Sequence, residues 1–223
     1  MMDNFEISPS DAYILTTFDQ SNVDDWSGVA KSVGRYIIMS NPPLIYKRFP
    51  GFIFDSSIKA RAYYRYIFNN YIGMETPPRG NLTSSLKYVF IGYKPGTKNS
   101  DLSRYESAWL FGPTANILDN LLEEFQIYPY FTNLAHDRHA TSFDLSQIIN
   151  EITFIRCAIS KNVRCIFLGR YKEYDEVIEY CKNALGIRCI QIWHPAYIFR
   201  NGNSENLYKK WVDMFKEEIL KWL

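Results

Sequence analysis

No cysteine precedes Cys157 in this chain of 223 residues. Cys157, Cys165, Cys181 and Cys189 all fall in the last third, and none forms a C-x-x-C pair. Each sits in an apolar helix or strand pattern, so buried free thiols are expected, with neither a metal nor another cofactor. Long hydrophobic runs are missing too. None approaches the roughly 20 residues that span a bilayer, which argues against a membrane protein. The opening "MMDNFEISPSDAYILTTF" has Asp and Glu early and no basic leader, so it does not read as a signal peptide. An intracellular protein, in cytoplasm or nucleoid, is the expectation. An excess of one charge is also lacking: Lys and Arg number 25 against 24 Asp and Glu, for a formal net charge of +1. A strongly basic chain would point to nucleic acid by itself; this one leaves room only for a local basic groove. Repeats and low-complexity tracts are absent.

What is present is apolar and aromatic. At 47% hydrophobic residues the chain has enough for one substantial core with room for a subsidiary lobe. Aromatics reach 17%, tyrosine leading; they fit a core, or rings that stack on bases.

The segment "GMETPPRGN" (73–81) divides the chain into an N-terminal extension, 1–80, packed on the core, and an α/β domain, 81–223. Before the break, Asp55 or Ser56 can cap a helix running to about Asn70, with Gly73 just past its end. Lys59, Arg61 and Arg65 lie there among Tyr63, Tyr64, Tyr66 and Phe68, the pattern of a solvated face over a buried one, or of a helix lying along DNA. Residues 1–54 give short mixed elements. After the break "LKYVFIG" (86–92), "IYPYFTN" (127–133), "VRCIFLG" (163–169) and "IRCIQIW" (187–193) read as buried strands. Helical stripes separate them: Leu118, Leu121, Leu122 and Phe125; then Leu145, Ile148, Ile149, Ile152 and Ile159 behind a capping box of Asp144 and Gln147; then Tyr174, Val177, Ile178, Cys181 and Leu185, ended by Gly186. A last helix runs from a Ser204 cap toward Trp222. Alternating strands and helices mean crossover connections, hence a three-layer α/β/α sandwich around a four-stranded, mostly parallel sheet.

In such sheets ligands collect beyond the carboxyl ends of the strands. The four strands end at "GYKPG", "TNLAHDRH", "GR" and "HPAYIFR". All three histidines, His136, His139 and His194, lie just past strand ends, as do Lys94, Asn133, Arg170 and Arg200. Each alone reads as a loop cap or turn residue. Together, at one edge, they predict a shared polar site.

These residues resemble the uracil-DNA glycosylase superfamily. "VFIGYKPG" resembles its first motif, "FGPTANIL" the Gly-x-x-small-x-x-Leu segment of its thermophilic-type branch, "YFTN" its pyrimidine-reading strand, and "HPAYIFR" its His-Pro-Ser loop. The match covers roughly residues 86–200, and it rests on the order and spacing of motifs that are individually weak. The resemblance implies flipping of a damaged or modified base out of double- or single-stranded DNA and cleavage of its bond to the sugar. It implies catalytic roles for His194, donating to the pyrimidine O2, and for Asn133, whose amide suits the Watson–Crick edge of the base. Phe111 or Trp109 would stack on the base, with Tyr93 and Gly92 beside it. Gly92 and Gly96 allow close backbone approach to phosphate. Pro95, Arg170, Pro195, Ala196, Tyr197 and Arg200 would contact DNA, with Tyr197, Ile198 or Phe199 filling the gap left by the flipped nucleotide. DNA is the partner implied, and the chain is read as a monomer.

The chain departs from the family pattern in places. Gly92-Tyr93-Lys94-Pro95-Gly96 holds no carboxylate or amide to position water. Asp101, Glu106, Asp137 and Asp144 are the nearby acids, with Asp101 taken as the candidate. Alternatively, Lys94 is a nucleophile that forms a Schiff base with the sugar. The branch's iron–sulfur cluster needs cysteines near the N-terminus, which this chain lacks. Ala196 stands at the family's serine, and an ungapped alignment puts Leu110 at the stacking phenylalanine. Two other readings remain: a non-catalytic DNA- or partner-binding member of the fold, and a metal-dependent hydrolase using His136, His139 and His194.

Overall fold

The computed structural model describes residues 36–38, positions 52–56, 58–60, 62, 63 and 66, and then 78–95, 113–137, 139–201 and 205–221. The strands are β1 (Tyr36–Ile38), β2 (Phe52–Phe54), β3 (Arg79–Leu82), β4 (Tyr88–Gly92), β5 (Tyr130–Asn133), β6 (Arg164–Leu168) and β7 (Arg188–Ile192). The helices are α1 (Pro113–Glu124), α2 (Leu145–Phe154), α3 (Glu173–Asn183), α4 (Ala196–Arg200) and α5 (Glu205–Leu220). Helical residues also occur within 58–66.

The strands form a single sheet in the order β1-β2-β3-β5-β4-β6-β7. Every neighbouring pair is parallel except β3 with β5. The four strands expected from sequence are the contiguous block β5-β4-β6-β7. The sheet has seven strands rather than four. The three missed strands are only three or four residues long, and "RGNL" of β3 offers one apolar residue among polar ones and a glycine. Because β3 spans residues 79–82 and β2 pairs with it, the sheet runs without a break across residue 80.

Alternation along the strands sorts side chains into two cores. Phe52, Phe54, Val89, Ile91, Tyr130, Cys165, Phe167 and Cys189 face one layer, made by Ala60, Tyr63 and Tyr66 together with α2 and α3. Ile53, Phe90, Phe131, Ile166, Leu168 and Ile192 face the other, made by α1, α4 and α5. Burying strands on both faces is what permits their unbroken apolar runs, and it makes the fold a three-layer α/β/α sandwich. Each large apolar side chain so enclosed contributes about 1.5–3 kcal/mol.

Local signals set the helix ends. Asp144 accepts a hydrogen bond from the Ser146 amide at 3.0 Å and caps α2. Beyond Phe154 this helix widens into a π-turn over Ile155–Ile159, and Ser160 closes it by donating its hydroxyl to the Leu86 carbonyl at 2.7 Å. On the 58–66 segment Ala60 and Tyr63 are fully buried, while Lys59 pairs with Asp55; Arg61 and Arg65 lie outside the described residues. Among the described residues no helix is long and apolar enough to cross a membrane.

Candidate functional site

Parallel pairing of β5, β4, β6 and β7 brings their carboxyl ends to one edge. Asn133 is the last residue of β5 and lies directly across from Gly92, the last residue of β4. Both follow the parity of Phe131 and Phe90, which puts Asn133 on the α1/α5 face. Asn133 is 4% exposed, and no described residue hydrogen-bonds to its amide. Neither amide atom is among the fully buried polar atoms left unsatisfied, so the amide keeps contact with solvent and can exchange water for a ligand's hydrogen-bonding edge. Gly92 then turns the chain, and its carbonyl accepts from the Leu134 amide at 2.7 Å.

His194 lies two residues past β7, three strand spacings or about 14 Å from the β5 line. Between them, β4 ends in Gly92 and β6 runs directly into Gly169, so neither intervening strand end adds a side chain. Gly169 has φ +116°, a backbone state that L side chains rarely adopt. Its amide donates to the Ile192 carbonyl at 2.8 Å, which locks the β6 turn to β7.

The His194 ring has a defined tautomer. Its Nδ1 accepts the Ala196 backbone N–H at 3.0 Å. The neutral ring therefore carries its proton on Nε2 and is a donor there. Burial, and then the positive charge of Arg200, push its pKa from the ordinary 6.5 down to about 4, so the neutral form holds at pH 7. Within "HPAYIFR", where a loop was expected, Ala196–Arg200 form a short helix, α4, behind His194 and Pro195. Pro195 is buried, Ala196 half-buried, and Arg200 exposed. Tyr197 is 37% exposed and packs on Trp193 with ring centroids 4.7 Å apart. Ile198 is buried in the α1/α5 core, which removes it from the three residues expected to enter DNA. The Phe199 side chain lies outside the described residues.

One anchor of this segment had no sequence signal. The fully buried Trp211 of α5 donates its indole N–H to the Trp193 carbonyl at 2.7 Å. In sequence Trp211 is one more apolar position on an amphipathic helix; only the packing shows that it positions the residue before His194.

Tyr93 sits elsewhere. Following Gly92 on the next parity, its ring joins the α2/α3 face, stacked on Tyr171 at 3.9 Å with Phe143 4.7 Å away, and its hydroxyl donates to Glu173 at 3.0 Å. Lys94 is exposed and reaches the Ala140 carbonyl at 3.4 Å. Pro95 is half-buried and Arg170 exposed. Of the acids expected near the first motif, Asp144 is occupied as the α2 cap, and exposed Asp137 accepts the His139 amide at 2.7 Å. Gly96, Asp101, Glu106, Trp109 and Phe111 lie outside the described residues.

The histidines do not assemble. His136 is buried in the sheet-facing layer, its Nε2 3.6 Å from the fully buried Glu151; His139 is exposed on the following loop. Among the described residues only Cys165, Cys181 and Cys189 bring three such ligand atoms together. Cys157, expected to be buried, is exposed.

No family model matches the chain, and no curated protein does. Among solved structures it is similar to the crystal structure of wild-type Pedobacter heparinus SMUG2, at 13% identity over 73% of this chain and 84% of that one, with a TM-score of 0.39.

Proposed function

We propose that the chain is a DNA glycosylase-like enzyme, acting as a monomer in base excision on DNA that carries a damaged or modified uracil-type base. The observation that carries the reading is the Asn133 amide, to which no described residue hydrogen-bonds, at the same sheet edge as a neutral His194. An amide offers donors and an acceptor on one plane, which matches the edge of a flipped pyrimidine. When the bond between C1′ and the base nitrogen breaks, its electron pair leaves with the base. Negative charge then grows on O2, where His194 Nε2–H donates. A fixed donor of that kind is worth about 3 kcal/mol in the transition state. Water adds to C1′ and gives up a proton, with Asp101 the candidate to position it.

On this reading Phe111 and Gly92 border the base, while Tyr93, turned to the opposite layer and stacked on Tyr171, does not. Gly96, Pro95, Arg170, Pro195, Ala196 and Arg200 meet the DNA backbone, and Tyr197 enters the stack. The test is a panel of oligonucleotides bearing uracil, hydroxymethyluracil, hypoxanthine or phage-type modified bases, scored for abasic sites and, separately, for binding. Abasic sites on one substrate, lost in His194→Ala, support the enzyme. Borohydride trapping in the same assay tests Lys94; absence of a covalent adduct ends the Schiff-base route.

A second reading rests on a different observation. No carboxylate stands in Gly92-Tyr93-Lys94-Pro95, which favours a member that binds DNA or a partner without hydrolysis. Binding with no cleavage of any substrate would select it.

A further inference from the structure

Three thiols converge on the other side of the sheet. Cys165 and Cys189 are the second residues of β6 and β7 and are register partners across the parallel ladder. Their parity turns both toward the α2/α3 layer, and Cys181 meets them from α3. All three are buried, and their sulfurs lie within 4.8 Å of one another. Five residues of β7 and its following turn, about 16 Å of extended chain, separate Cys189 from His194. The base site and the thiols therefore occupy different faces and opposite ends of the strands.

We propose that Cys165, Cys181 and Cys189 form a binding site for a thiophilic d10 metal ion, zinc(II) or copper(I). Packing alone would be satisfied by any small apolar side chain at these positions. One sulfur from each of three elements, gathered at a point, is instead a soft donor set. An ion with metal–sulfur bonds of about 2.3 Å holds its thiolates ~3.8 Å apart, so the present spacing closes with about 1 Å of side-chain movement. An entry path exists. Cys189 is 9% exposed and lines a groove of about 390 Å³ with Asp175, Glu179 and Lys182. Water or one of those carboxylates would supply the fourth ligand that zinc takes. As each metal–sulfur bond forms, the thiol proton passes to solvent. The site does not depend on the function proposed above.

The test uses the full chain, purified under reductant, with bound metal measured by elemental analysis. Zinc(II), copper(I) and cadmium(II), the last as a spectroscopic probe, are then titrated in. One equivalent should bind with a thiolate-to-metal charge-transfer band. Cys165→Ser, Cys181→Ser and Cys189→Ser should each lose at least ~10-fold in affinity, while Cys157→Ser, exposed and outside the trio, keeps it. Because a serine in the core can impair folding, alkylation of the wild-type protein is the second readout: one equivalent of metal should protect Cys189. Failure of the reduced wild type to bind one equivalent would overturn the proposal. So would full affinity in a folded Cys189→Ser, or a Cys165–Cys189 disulfide that forms in place of metal uptake.

Discussion

Asn133 and Gly92 face each other across the β4–β5 ladder as the last residues of their strands. The glycine contributes no side chain beside the amide, and no described residue hydrogen-bonds to it. This pairing separates function from stability. Asn133→Ala breaks no side-chain hydrogen bond to a described residue, so stability should stay within ~1 kcal/mol of wild type. Base excision should fall ~100-fold or more. Chemical denaturation and single-turnover cleavage check the two halves; large destabilisation with unchanged cleavage would make the amide structural.

His194 gives a pH signature. Its folded pKa, about 4, lies below the ordinary 6.5 because the ring is buried and Arg200 is near. The unfolded chain therefore takes up this proton first as pH falls. The associated stability is fully present above pH 6.5 and is lost as pH drops toward 4. NMR titration of the imidazole should give a midpoint near 4. Cleavage, if it uses the neutral ring, should not decline as pH passes through 6.5. His194→Asn should flatten the acid limb of the stability profile.

The α/β class was legible because the central strands β4, β6 and β7 are apolar runs bounded by glycine or a turn, and the helices between them carry clean stripes. The edge strands were not legible. "FIF" and "RGNL" are too short for any period to show. Asn133 and His194 could be placed at one edge because parallel strands share a carboxyl end. What sequence does not encode locally is parity past a strand end. Tyr93 is one residue from Gly92, yet it faces the opposite layer and stacks on Tyr171. Nor could residue types reveal that Ile198 packs inward while Tyr197 beside it stays partly exposed. The cysteine trio was hidden for a related reason: Cys165 and Cys189 meet through strand register although they are 24 residues apart in the chain.

Glu151 is fully buried and is held by the layer it faces. The Tyr130 hydroxyl donates to it at 2.6 Å, Tyr63 hydrogen-bonds to Tyr130 in turn, and His136 lies 3.6 Å away. Burial, and then the Glu151 charge, push both tyrosines well above the usual phenol range. Tyr130→Phe keeps the ring and removes a donor from a buried carboxylate. It should cost about 1–3 kcal/mol in thermal or chemical unfolding. A double-mutant cycle with Glu151→Gln should show coupling, since the two groups act through one bond.

Gly169 joins β6 to the site edge under two separate constraints. Its φ of +116° is strained for any L side chain, and a Cβ there would run into the ring of Tyr171. That ring cannot retreat freely, because it stacks on Tyr93 and meets Tyr174 edge-on at 5.4 Å. Gly169→Ala should therefore destabilise the protein by about 1–3 kcal/mol from the backbone alone, with the steric conflict adding to it. Tyr171→Ala in the same background removes the conflict but leaves the backbone strain. The double mutant should then be more stable than the sum of the two single losses predicts. If the losses simply add, the dihedral is the whole cause, and Tyr171 moves aside without cost to the aromatic stack.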